Sequence, residues 1–193
     1  MVIPTVIIKE GGREQAYDIY SMLLRKRIIM IDGEINTAMQ SVVVASLLYL
    51  NSEDSKADIN VYVNSGGGSV TAGLAIIDTM DIISNEVSTF CNGMCASMGA
   101  AVLSAGTKGK RFVMPSASVM IHSVSSGTSG TVQDMQVSHD ETVRLQKFLM
   151  GMIAKNCNKD YEEVEKDCQR DYYMTAQKAV DYGIVDSIVK SHG

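Results

Sequence analysis

Ile59-Asn60-Val61-Tyr62-Val63 runs without a break into Asn64-Ser65-Gly66-Gly67-Gly68-Ser69, and residues 70–83 then take up an apolar helical pattern. A β-branched strand, a glycine turn and a helix in that order make half of a strand-crossover unit. The pattern recurs where Val87-Ser88-Thr89-Phe90 leads through a glycine-containing turn into a small-residue helix predicted over 97–105. Upstream, residues 16–24 read as a first helix, Arg27-Ile28-Ile29-Met30-Ile31 as a buried strand closed by Asp32-Gly33, and residues 36–50 as a second helix. Downstream come two short strands, Arg111-Phe112-Val113-Met114 and Ser118-Val119-Met120-Ile121, then a Ser/Gly-rich stretch over 123–130. Residues 132–156 follow as a long amphipathic helix, with Val132, Met135, Leu145, Phe148, Leu149, Met152 and Ile153 at helical spacing. A helix that long projects beyond a small domain or packs on a partner. The tail, 175–190, reads as one more helix and a strand. Strands alternating with helices specify an α/β fold with a largely parallel sheet, whose ligand sites fall at the carboxyl ends of the strands. Two loops take that position: the triple glycine and residues 92–98.

Composition bounds the function classes. The chain has 193 residues, 46% of them hydrophobic and 20% charged, with a net charge of -5 and two prolines. These values describe one globular domain able to build a core without disulfides or metal, and they exclude disordered and collagen-like classes. The acidity argues against a nucleic-acid groove, which needs clustered Lys and Arg. Residues 24–27 and 108–111 concentrate positive charge, and both are expected to be solvated loops or strand ends. No window approaches a membrane span. Met1-Val2-Ile3-Pro4-Thr5 has none of the layout of a secretory signal, so a cytoplasmic protein is expected. Cys91, Cys95, Cys157 and Cys168 form no C-x-x-C pair and no zinc-like spacing with histidine, which points to buried reduced thiols and no metal.

Gly93-Met94-Cys95-Ala96-Ser97-Met98-Gly99 sets a serine at a strand-to-helix junction among small side chains. Free N–H groups at a helix start favour developing negative charge, and small neighbours admit a substrate carbonyl. A helix cap is the commoner role for such a serine. Cys95 competes as nucleophile, because a thiolate near a helix start is stabilised. Of three histidines, His139 sits among Ser138, Asp140 and Glu141 and His192 lies in the tail, which leaves His122, at the end of a strand, as the best base. Gly66 to Gly68 reads as a phosphate cradle, a tight turn or an oxyanion hole; it lacks the Lys-Ser/Thr ending of a P-loop. The third member of a triad stays open among Asp134, Asp171, Asp181 and Asp186.

With these loops assembled, the chain resembles the Clp protease proteolytic subunits, the serine peptidases of AAA+ degradation machines. The resemblance rests on Ala16-Tyr17-Asp18-Ile19-Tyr20-Ser21, Asn64-Ser65 with Gly67-Gly68-Ser69, Thr71-Ala72-Gly73 with Asp78-Thr79-Met80, Gly93-Met94 with Ala96-Ser97-Met98-Gly99-Ala100, Met120-Ile121-His122 and Arg170-Asp171. It implies a crotonase-like α/β spiral with a protruding handle helix, in one domain over 1–193 with an axial segment at about 1–18 and a handle region at about 123–157. It implies Ser97 as nucleophile, His122 as base and Asp171 as orienting carboxylate, with the N–H groups of Gly68 and Met98 as oxyanion hole. Tyr62, Phe90, Phe112 and Met114 correspond to a docking pocket for the unfoldase. The implied assembly is two stacked seven-membered rings, of this chain alone or shared with a second Clp proteolytic subunit. It is fed unfolded polypeptides by an AAA+ unfoldase of the ClpX, ClpA or ClpC type. No cofactor, nucleic acid or membrane is implied.

Four departures from the family pattern stand out: Gly66 replaces a proline, Ser123-Val124 replaces Gln-Pro, Gln169 replaces an acid, and Asn92 stands at a usually apolar place. They suggest a divergent paralogue. The competing readings are a weakly active structural ring subunit and a crotonase-type acyl-CoA enzyme. The latter has no need of Ser97, His122 and Asp171 together.

Overall fold

The computed structural model describes residues 3–190; Met1, Val2 and His192 lie outside them. Thr5–Glu10 (β1) and Arg13–Asp18 (β2) pair as an antiparallel hairpin. The helix expected over 16–24 therefore starts late, as Ile19–Arg25 (α1): Ala16 and Tyr17 pair with Ile7 and Val6, and Asp18 caps the helix by accepting the Ser21 N–H. Ile28–Asp32 (β3), Thr37–Glu53 (α2), Ile59–Ser65 (β4), Val70–Ile82 (α3), Val87–Ala96 (β5) and Met98–Ser104 (α4) then repeat the predicted alternation. Asn36 and Ser69 cap α2 and α3 with their side chains. Arg111–Val113 (β6), Ser118–Ile121 (β7) and Val132–Cys157 (α5) follow as expected. Tyr161–Asp167 (α6) and Tyr172–Thr175 (β8) were not expected; Ala176–Tyr182 (α7) and Ser187–Ile188 (β9) complete the chain. Short α6 buries only Val164, so its sequence carries little amphipathic signal.

The second sheet has the order β3-β4-β5-β6-β9, with every pair on that path parallel. Beside β4, strand β5 has two further partners: Thr89, Phe90 and Cys91 pair with β6, and Met94, Cys95 and Ala96 pair with β7. What reads in sequence as a turn is instead an irregularity inside this strand, where the register against β4 shifts between Val63 and Ser65. The Asn64 side chain bridges the gap, donating to Asp32 Oδ1 and accepting the Met94 N–H. Every residue of α4 is buried, so this small-residue helix is packed on all sides and its first turn is rigidly seated.

Thr131 and Asp134 form a capping box at the start of α5, whose 26 residues span about 39 Å. Only its C-terminal half is buried, through Leu149, Met150, Ile153, Ala154 and Cys157; residues 132–141 stand in solvent. Among the described residues no helix is long and apolar enough to cross a membrane.

The two basic clusters are not simply solvated. Arg27 donates to the carbonyls of Leu50, Asp54, Ala57 and Asp58, closing the α2–β4 connection. The Arg111 guanidinium is buried and paired to Asp186. An arginine fork offers five donors; backbone carbonyls take them at Arg27, and the Asp186 carboxylate with the carbonyls of Ser104 and Asn156 takes them at Arg111.

Candidate active site

Ser97 follows the last residue of β5 and precedes α4. Its N–H is held by Met120 O of β7 at 2.9 Å, and its backbone sits at φ 55° and ψ −122°. That region costs an L-residue about 1–3 kcal/mol and survives only where surroundings enforce it. Here the paired β5 and β7 lie on one side and the buried α4 on the other. The side chain makes no capping bond. Instead Oγ lies 2.8 Å from His122 Nε2.

His122 follows β7, and β8 explains what stands beyond it. The antiparallel register sets Ile121 opposite Tyr172, so the next step sets His122 opposite Asp171. Asp171 Oδ1 is 3.4 Å from His122 Nδ1 and the carboxylate is 57% exposed, so the approach is longer than a tight charge-assisted hydrogen bond. With Nδ1 facing a carboxylate and Nε2 facing a hydroxyl, the network assigns the proton to Nδ1 and leaves Nε2 as acceptor.

The other carboxylates are committed elsewhere. Asp134 caps α5, Asp181 accepts from Gln177, and Asp186 takes Arg111. Cys95 is also set apart: it is fully buried, its Sγ donates to Val63 O at 3.3 Å, and burial pushes its thiol well above the usual range. A thiol held protonated in the core is a poor nucleophile.

The triple glycine passes beside Ser97. Ile35 bridges to Gly68 in parallel fashion: its N–H donates to Gly67 O at 2.9 Å and its C=O accepts the Ser69 N–H at 2.8 Å. That pattern uses the groups flanking Gly68 and leaves the Gly68 N–H pointing away from Ile35. A Cβ on Gly67 would come 2.7 Å from Ser97 Cβ, and one on Gly68 2.2 Å from Ile35 O, so both positions demand glycine. Gly66 has open space around it and is not under this constraint. The Ser97 N–H being taken by Met120, the next amide, Met98 N–H, is the first unpaired donor at the start of α4. A cleft opens from these groups, walled by Val70, Ile121, Val124, Gln146, Leu149 and Ile153.

Such a constellation can take a proton from Ser97, attack a carbonyl and receive the resulting oxyanion on backbone N–H groups. His139 is away from it, exposed on α5 in a groove with Val124, Thr128 and Gln146. Tyr62, Phe90 and Phe112 lie in register across β4, β5 and β6 and stack at 4.6 and 4.8 Å between ring centroids, half-buried, with Met114 beyond the end of β6. Sequence reading missed Ile35 and Ser65 as supports of the glycine loop. A signal existed for Ser65, a hydroxyl falling on the inward phase of Ile59, Val61 and Val63.

A family model described as Clp protease matches residues 11–192. The chain is 45% identical over 190 residues to the ATP-dependent Clp protease proteolytic subunit of Ligilactobacillus salivarius (strain UCC118), covering 98% of this chain and 96% of that protein. With its α/β crotonase-like fold of mostly parallel strands, the chain belongs to the Clp protease family.

Proposed function

We propose that Ser97, His122 and Asp171 carry out the peptide-bond hydrolysis of this Clp-type serine peptidase, acting on unfolded polypeptides in ATP-dependent protein degradation. The observation that carries the assignment is the 2.8 Å contact between Ser97 Oγ and His122 Nε2 at a strained strand-to-helix junction. His122 Nε2 takes the Ser97 proton as Oγ attacks the scissile carbonyl. Asp171 holds the Nδ1 proton and stabilises the imidazolium. The tetrahedral oxyanion accepts from Gly68 and Met98 N–H, His122 returns the proton to the leaving amine, and water then hydrolyses the acyl-enzyme by the same route.

The finer assembly belongs to the same proposal. Two stacked seven-membered rings, of this chain alone or with a second Clp proteolytic subunit, enclose the sites. The exposed Val132, Val137 and Phe148 on α5 support a handle that meets another copy. The row from Tyr62 to Phe112 with Met114 receives loops of an AAA+ unfoldase, which supplies the ATP hydrolysis. The hairpin of β1 and β2 lines the axial entrance, and residues 123–157 form the handle region. Four buried free cysteines suit a cytoplasmic location.

A fluorophosphonate probe tests the chemistry. Labelling at Ser97, lost in Ser97→Ala, is expected; a protein that stays unlabelled in every assembly state refutes the assignment. Native mass at fourteen protomers is the expected companion result.

A further inference from the structure

Strand β4 turns Ile59, Val61 and Val63 into the core, and the next residue on that face is Ser65, 2% exposed. A hydroxyl at such a place is unfavourable unless its hydrogen bonds are made. Ser65 Oγ makes them to two separate loops. It donates to Gly33 O at 2.5 Å and accepts the Gly67 N–H at 3.1 Å.

The residues it grips have no side chains of their own. The loop from Gly66 to Gly68 is shaped only by contacts to its backbone, and glycine without such contacts samples both signs of φ. Gly67 C=O and Gly68 N–H belong to one planar trans peptide and point in opposite directions. With the C=O held by Ile35 N–H, the Gly68 N–H faces away from Ile35, and Gly68 lines the same cleft as Ser97. The orientation of that plane relative to the preceding peptide is set by Gly67 φ and ψ together; φ is +104°, and the preceding plane is held by the bond from Gly67 N–H to Ser65 Oγ. Ser65 also meets the helix that carries the second donor: a Cβ on Gly99 would come 2.8 Å from Ser65 O, so the first turn of α4 packs directly on this residue.

We propose that Ser65 is a positioning residue for the hydrolytic reaction, its hydroxyl clamping the Gly67-Gly68 peptide in the orientation that presents Gly68 N–H to the oxyanion. The proposal rests on the reading of Ser97 as nucleophile and Gly68 as oxyanion donor. Ser65 itself touches neither substrate nor reacting atoms. Removing an oxyanion donor outright lowers kcat by about 10²–10³. A donor that is loosened rather than deleted keeps part of its effect, and Ser65→Ala is expected to lower kcat about tenfold.

The test uses the full chain, with a fluorogenic peptide for turnover and a peptide aldehyde as inhibitor. The aldehyde forms a tetrahedral adduct with the serine and needs the same N–H groups, so its Ki should rise in proportion to the fall in kcat/KM. KM should stay within about twofold, because the ground-state carbonyl depends less on the clamp. Melting temperature and native mass are read beside these values. Should Ser65→Ala lose its assembly, the near-isosteric Ser65→Cys, a weak donor and acceptor, is held to the same criteria with a smaller expected loss. Wild-type kcat in the variant, a loss confined to KM, or an aldehyde Ki that does not move overturns the role of Ser65 alone. An unlabelled Ser97 in the wild-type protein under a fluorophosphonate overturns the underlying reading and this one with it.

Discussion

Replacing Asp186 by alanine strips a buried guanidinium of its counter-charge. Arg111 is 1% exposed and Asp186 17%. Asp186 Oδ1 accepts Arg111 Nη2 at 2.6 Å, and Oδ2 accepts Arg111 Nε at 2.9 Å together with the N–H groups of Gly109 and Arg111. In Asp186→Ala only Nη1 keeps its acceptors, the carbonyls of Asn156 and Ser104. Breaking a buried pair from one side costs about 3–5 kcal/mol, because a charge is left uncompensated. At roughly 2–4 °C per kcal/mol for a chain of this length, the melting midpoint should fall by roughly 6–20 °C. Thermal denaturation followed by circular dichroism at neutral pH reads the effect. The double variant Arg111→Met, Asp186→Leu should recover most of it, since neither charge is then buried.

The pH dependence carries a sign. Burial alone would raise the Asp186 pKa, but hydrogen bonds and charge from Arg111, with the Gly109 N–H, outweigh it and hold the carboxyl below its usual value. A depressed folded pKa means that the contribution is complete above the unfolded value of about 3.9 and is lost as pH falls through the folded one. Below about pH 4 the wild type should therefore lose more stability than the double variant. A midpoint that moves by less than about 2 °C in Asp186→Ala, or a double variant no better than the single, would refute this account of the pair.

Three further outcomes bear on the site. Asp171→Asn should lower kcat in a peptidase assay by about 10²-fold with KM little changed, since an exposed carboxylate at 3.4 Å orients His122 less firmly than a buried one; unchanged turnover would remove Asp171 from the triad. Iodoacetamide at pH 8 should leave the native thiols unmodified, because all four cysteines are buried and desolvation pushes Cys157 up to about 11 and Cys168 up to about 12; mass spectrometry showing rapid alkylation of Cys95 would return it to contention as nucleophile. Gly67→Ala should abolish peptide turnover and slow fluorophosphonate labelling, because the added methyl lies 2.7 Å from Ser97 Cβ and the backbone has φ +104°; wild-type labelling kinetics would show that the loop yields without moving Ser97.

The expected and observed elements differ where the deciding contact is remote. The first helix was expected too early because residues 16–18 have a helix-compatible pattern, whereas the partner that makes them a strand, β1, is a separate segment. The glycine turn expected within 92–96 is strand, since β7 supplies the pairing that the local sequence does not advertise. Arg27 and Arg111 were expected in solvent because charge is usually exposed, yet each meets acceptors brought from distant positions.

What short-range chemistry dictates was legible beforehand: the period of the apolar residues, the small residues around Ser97 and the strand-end place of His122. These depend on neighbours within a turn or two, so residue order suffices. Which aspartate stands by His122, which nucleophile is free and where Gly68 N–H points were left to the fold. Each depends on a register or a burial set by segments far apart in the chain. The β7–β8 pairing brings Asp171 to His122, the core closes over Cys95, and Ile35 with Ser65 turns a featureless glycine run into an oriented donor.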